Sequence, residues 1–379
     1  MKLQYVPLLK ALDAEKIALE NIEPAIRRRI IPLFDIPRVP SGDGAPKYLY
    51  EFGTPAKTMI DYAISRIASV SSGLMAMVDS YHWLGNANIE TGEHVFSYLI
   101  NQLTAKGVIA IPVIGYDRWE DATYRAATRL FNYTRFPLTC LRLDYSAIED
   151  SLEPDLLQEN IESILDDLEL HPSKCCILID FGDVYSKKVS EIHDEIARVI
   201  NVLEIMNFKF FITAACSLPA TVDKAIQTTD TEGQFRRKEM AAWKMISKSA
   251  VGRRNKIIYG DYAIRGPQSN EGVRNKHSNG KIRYTIDEHF FIARGHSVSL
   301  GDKFGQFYKL AERVISSIYY KDPNYSWGDK QIVNAVAGLT PKTHAFWISV
   351  DTNHHITYVI EENLQFSIDN SINSNVVAL

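Results

Sequence analysis

The sequence predicts an α/β protein, a (β/α)8 TIM-like barrel carrying a C-terminal hairpin and helical extension. Two observations lead there. Short apolar runs rich in β-formers alternate with longer segments of helical period, the pattern of βα units around a parallel sheet. The runs recur at roughly 30-residue spacing and are apolar almost throughout, as strands covered on both faces must be. Eight such units close a barrel more naturally than they line up in an open doubly wound sheet, which is the alternative arrangement.

In chain order the strands are expected at residues 5–10, 30–36, 74–79, 108–114, 139–145, 175–181, 208–214 and 256–262. Helices are expected between them at 13–21, 55–68, 92–105, 119–131, 154–168, 189–206 and 237–249. Thr54-Pro55 and Glu153-Pro154 place a capping or acidic residue before a proline, which suits a helix's first turn. Residues 1–262 thus hold the barrel strands. Residues 263–379 hold the last barrel helix, a polar loop at 265–280, a hairpin at 282–285 and 290–294, and helices at 304–320, 328–337 and 342–360.

The composition, 46% hydrophobic and 23% charged over 379 residues, is that of an ordinary globular protein and selects no function. No apolar run reaches the ~18 residues of a membrane span, and the N-terminus lacks the apolar block of a signal peptide, so the expected setting is the cytoplasm, away from membranes. Cys140, Cys175, Cys176 and Cys216 sit in or beside apolar runs without CxxC spacing and read as reduced core residues. Charge is uneven. Residues 144–169 carry ten acids and no Lys or Arg, while 235–283 carry thirteen Lys or Arg against three acids.

Several short motifs resemble one family. Tyr5-Val6-Pro7-Leu8-Leu9-Lys10 with Glu15 and Leu19, Ile31-Pro32-Leu33-Phe34-Asp35-Ile36-Pro37, Tyr259-Gly260-Asp261-Tyr262, and the stretch from Tyr284 to Ala293-Arg294-Gly295 are similar, in order, to the "beta protein" family, named for a phage protein and scattered through bacteria and prophages. The resemblance spans most of the chain. It implies a cytoplasmic protein in the setting of phage defence or phage–host conflict, with no established reaction and no catalytic residues to carry over.

Barrel enzymes place their active sites at the C-terminal ends of the strands, so the residues closing each run are the informative ones. Asp35, Asp79, Asp144, Asp180 and Asp261 close five of them, and all five are expected to open toward one rim. Crowded carboxylates need a positive partner. Lys10, Arg142, Arg265 and Arg294 are candidates, as is Mg²⁺ or Mn²⁺, which suit oxygen-only ligands such as Asp35, Asp79, Asp144 and Asp180. Against this stands the common use of Asp to cap the helix that follows a strand.

Two functions follow. In the first, the chain is a metal-assisted hydrolase of a phosphodiester or nucleotide-like substrate: Asp144, Asp180, Asp261 and Arg142 are catalytic, and Lys10, Arg265, Arg294 and Tyr262 bind substrate. In the second, it is a non-enzymatic sensor or partner subunit of a defence system, binding nucleic acid or a phage protein through its basic extension. Arg253, Arg254 and Lys256, with Arg236, Arg237, Lys238, Arg274, Lys276, Lys281 and Arg283, are the phosphate-contacting candidates. Tyr81, Trp119, Tyr145 and Tyr262 are placed to stack on sugars or bases. His354 and His355 diverge by about 100° on a helix, which argues for packing over a shared metal. Phosphate-loop and GxSxG motifs are absent.

Overall fold

Eight parallel strands close into a barrel in the computed structural model, which describes residues 3–40, 45–267, 269, 278–341 and 343–376. They are β1 (Tyr5–Lys10), β2 (Leu33–Asp35), β3 (Met75–Asp79), β4 (Ile109–Gly115), β5 (Thr139–Leu143), β6 (Cys175–Asp183) and β7 (Phe210–Cys216); β8 (Thr231–Arg236) leaves the barrel and β9 (Ile257–Asp261) closes it against β1. The period of two explains the unbroken apolar runs. Val6, Leu8, Leu33, Met77, Val113, Cys140, Leu178 and Ile212 fill the interior. The residues between them, such as Leu9, Phe34, Val78, Leu141 and Ile179, face the surrounding helices. All four cysteines are buried and unpaired.

The extension is not a separate block. β8 pairs antiparallel with β11 (His289–Ser297), which pairs with β10 (Asn279–Ile286). The hairpin was expected, but β8 was not. Its sequence, Thr-Glu-Gly-Gln-Phe-Arg, is polar and exposed on alternate residues, and lies on the sheet edge, so it carries no hydrophobic signal.

One face of this sheet sends Phe290 and Ile292 onto the barrel's apolar interior beside Leu218, Ile226 and Ile264. The other face packs Ile282, Tyr284 and Phe291 against the helices Phe307–Ile315, Trp327–Val336 and His344–Val376. The last helix also returns to the start of the chain: the Asn353 side-chain amide donates to the carbonyls of Ala18 (3.0 Å) and Asn21 (3.1 Å). Most of the 265–280 loop, with Arg274 and Lys276, lies outside the described residues.

Candidate functional site

Strand register brings three of the five aspartates together. Asp35 pairs with Lys10 on one side and Asp79 on the other, and all three stand at the C-terminal ends of β1, β2 and β3. Arg142, one layer deep on β5, points into the same space and is fully buried. An unpaired guanidinium there would be prohibitively costly, so its partners decide the site.

A guanidinium has five N–H groups, and Arg142 uses them all. Nε donates to Asp180 Oδ2 (2.9 Å), Nη1 to Asp35 Oδ1 (2.6 Å) and Asp79 Oδ2 (2.8 Å), and Nη2 to Asp180 Oδ2 (2.6 Å) and the Tyr262 hydroxyl (3.0 Å). The Tyr262 hydroxyl donates in turn to Asp180 Oδ2 (2.7 Å). The Tyr81 ring lies over the guanidinium, 3.8 Å from its centre, and covers it from the mouth side.

A second arginine, not foreseen from the sequence, completes the cluster. Arg118 donates from Nη1 to Asp79 Oδ1 (2.9 Å) and Ser80 Oγ (3.3 Å), and from Nε to Asp117 Oδ1 (3.2 Å). It folds back over Gly115, where a Cβ would stand 2.0 Å from Arg118 Nη2. A glycine closing β4 two residues before an Asp-Arg pair was the signal available in the sequence.

The charges respond to these neighbours. Burial pushes the Asp79 carboxyl up, but Arg118 and Arg142 outweigh it and hold the group below the usual range. Asp35 has less cationic company, and burial keeps it above that range. Burial would lower Arg142, yet Asp35 and Asp180 raise it well above its ordinary value. Burial, with the charge of Asp180, lifts the Tyr81 phenol to about 12 and Tyr262 further.

The remaining expected residues go elsewhere. Asp144 is half-exposed at the mouth, accepts from Ser146 Oγ (2.6 Å), and is not a partner of Arg142. Asp261 points out of the barrel, which corrects its place on the rim. It accepts from the Tyr5 hydroxyl, from Tyr259 (2.7 Å) and from the Ala263 amide (2.8 Å), and faces His355 Nε2 (3.1 Å) and Arg237 (3.6 Å). The reason is the strand's own period: Tyr262, its neighbour, takes the inward position.

Lys10 donates to the Ser269 carbonyl (2.8 Å), Arg265 to Glu15 Oε1 (3.0 Å), and Arg294 to the carbonyls of Ile226 (2.6 Å) and Gln227 (2.5 Å). All three tie down loops. Tyr262 and Trp119 are buried, so among the proposed stacking residues Tyr145 is exposed and Tyr81 half-covered.

The basic segment does not form one surface. Arg253 caps a helix end through the Lys248 carbonyl (2.8 Å), Arg254 pairs with Glu204 (2.9 Å), and Lys256 lies near the Phe210 ring. These three precede β9 and so stand at the end of the barrel opposite Arg142. Arg237 is fully buried. His354 and His355 are buried and diverge, His354 toward Asp329 (2.9 Å) and His355 toward Thr285 (2.8 Å) and Asp261.

Mg²⁺ or Mn²⁺ does not fit this arrangement. Arg142, Arg118 and Tyr262 occupy Asp35 Oδ1, both Asp79 oxygens and Asp180 Oδ2, Asp180 Oδ1 accepts from the Gly182 amide (3.0 Å), and Asp144 stands apart, so an ion at this cluster would have to displace arginine donors. Among the described residues no group of three or more His, Cys, Asp and Glu is placed to hold a metal ion.

No curated protein matches the sequence. The family model described as Beta protein matches residues 5–361, a span that takes in the whole barrel, the Arg142 cluster, the hairpin and most of the last helix. The chain belongs to the Beta protein family.

Proposed function

We propose that this protein is a recognition subunit acting in phage–host conflict, with the barrel as a rigid scaffold and a protein partner bearing basic side chains as its target. One observation carries the reading: every N–H of Arg142 is already spent on the protein, leaving none to steady charge developing on a substrate. Around that closed centre the mouth presents Asp117, Asp144 and Asp183 with the exposed rings of Tyr145 and Tyr185. Lys187 and Lys238 stand beside these rings but are held by Glu195 and by backbone carbonyls, so the carboxylates are left to attract Lys and Arg.

The hydrolase reading keeps one support. Asp117 and Asp144 lie within electrostatic reach of each other, and burial pushes the Asp117 carboxyl up, as a general acid requires. Protection of a bacterial host against phage, scored beside thermal unfolding, separates the two. Recognition predicts that Asp117→Asn and Asp144→Asn each weaken protection mildly, whereas reversal of Asp144 and Asp183 together to Lys, which leaves the Asp117 partner of Arg118 in place, abolishes it with the melting temperature unchanged. A hydrolase would lose about 10² to 10⁴ in rate from a single Asn, so complete loss of protection in Asp117→Asn would overturn the recognition reading.

A further inference from the structure

The β9 and β1 side of the same barrel end has the opposite character. On the inner face of β10, Lys281 stands two residues from Arg283 and directly opposite Arg294 of β11. Arg265, on the turn after β9, and His344, at the start of the last helix, belong to the same electrostatic neighbourhood. The other cations are engaged. Arg283 donates to Asp351 Oδ2 (3.0 Å) and to the Ile264 carbonyl (2.5 Å), while Arg294 holds the carbonyls of Ile226 and Gln227.

Lys281 differs from all of them. Half-buried among these groups, it makes no hydrogen bond or ion pair among the described residues. Asp351 and Asp223 are within its electrostatic reach, but Asp351 Oδ2 is committed to Arg283, and Oδ1 is buried without a hydrogen-bond partner. A partly desolvated ammonium crowded by guanidiniums costs stability unless an anion joins it.

We propose that Lys281, flanked by Arg283 and Arg265, is the binding lysine of a small oxyanion site, and that its ligand is a phosphate group, free or carried by a small molecule. A small ligand is favoured over a nucleic-acid backbone because the neighbouring Arg283 and Arg294 are already committed to protein oxygens, which leaves the single Lys281 ammonium to meet one phosphate group. Consistent with the crowding, burial and then the charge of Arg283 lower the Lys281 ammonium to about 8. The site is independent of the acidic mouth, so either proposal can fail alone.

The test is competitive acetylation of the full chain at pH 7.5, read lysine by lysine by mass spectrometry, with inorganic phosphate, a nucleoside monophosphate, or chloride at matched ionic strength. The site predicts that Lys281 is among the fastest-reacting lysines in chloride, that phosphate slows it several-fold, and that other lysines are unaffected. A nucleotide that protects better than phosphate at equal concentration assigns the ligand to the carried class; equal protection assigns free phosphate. Lys281→Met should be at least as stable as the parent in chloride and should lose the phosphate-induced rise in melting temperature. Labelling of Lys281 that ignores both anions, or a Lys281→Met protein clearly less stable in chloride, would overturn the proposal.

Discussion

Two fully buried arginines hold this protein together, and they are satisfied to different degrees. Arg142, inside the barrel, has all five N–H groups paired, with partners from four other strands or strand ends. Arg237, outside it, donates to Glu362 Oε2 (2.7 Å) and the Tyr259 hydroxyl (3.1 Å), lies 3.6 Å from Asp261, and leaves Nε buried without a partner. The first is fixed by the register of one closed sheet. The second joins the barrel to the last helix, where partners arrive from remote parts of the chain and fit less completely. The closed sheet saturates Arg142, whereas Arg118 at the barrel mouth and Arg237 at the joint between layers each keep one buried nitrogen, Nη2 and Nε, without a partner.

Breaking the inner cluster should have the largest effect. Asp180→Asn removes the carboxylate that takes two Arg142 donors and the Tyr262 hydroxyl. By the usual cost of uncompensating a buried ion, urea unfolding should show a loss of about 3 to 5 kcal/mol. The outer arginine should matter less. In Arg237→Met, Asp261 keeps its bonds to Tyr5, Tyr259 and His355, and Glu362 keeps Lys244 (2.7 Å). A loss of about 1 to 3 kcal/mol is expected. If Arg237→Met proved the more damaging, the comparison would be reversed.

The pH dependence sharpens the contrast. Beside Arg237, the Glu239 carboxyl accepts from Ser217 and from its burial is pushed up to about 7, whereas Asp261 is held at about 2, burial being outweighed by His355 and Arg237. A carboxyl raised on folding binds its proton more tightly in the native state. Its stabilisation is present below the unfolded pKa, ordinarily near 4.3, and is lost as pH rises toward 7. Asp261 works the other way: its contribution is present above about 4 and is lost only as pH falls toward 2. Glu239→Gln should therefore flatten the decline in stability between about pH 4.5 and 7, an effect of roughly 1 to 3 kcal/mol. A parent whose stability does not decline over that interval would sink the assignment.

Much of the barrel was legible because its information is local. Eight apolar runs ended in residues whose side would follow from the period of two, and that same period explains why Asp180 entered the cluster. It also shows why Asp261 did not. Tyr262, one residue on, took the inward place, and reading the strand's end without fixing its phase missed this. Asp144 stood two residues beyond Arg142, past the last paired residue of β5, where the chain already turns into the helix Tyr145–Asp150.

Arg118 was missed because its role depends on Gly115 and on Asp79, 39 residues earlier, a pairing no spacing rule announces. The basic segment misled for the opposite reason. Sequence proximity suggested one surface, but a βα unit carries neighbouring residues to opposite ends of the barrel, separating Arg253, Arg254 and Lys256 from Arg265 and Lys281.

The central claim is that Arg142 is a saturated structural fork, and Arg142→Lys tests it most directly. Lysine keeps the charge but offers three donors on a single nitrogen, with no planar fork to reach Asp35, Asp79, Asp180 and Tyr262 together. Urea unfolding at pH 7 should show a loss of about 2 to 4 kcal/mol, from unmade hydrogen bonds among buried charges, with the slope of the transition unchanged. A variant as stable as the parent would mean that the site requires only a positive charge, and would contradict the account.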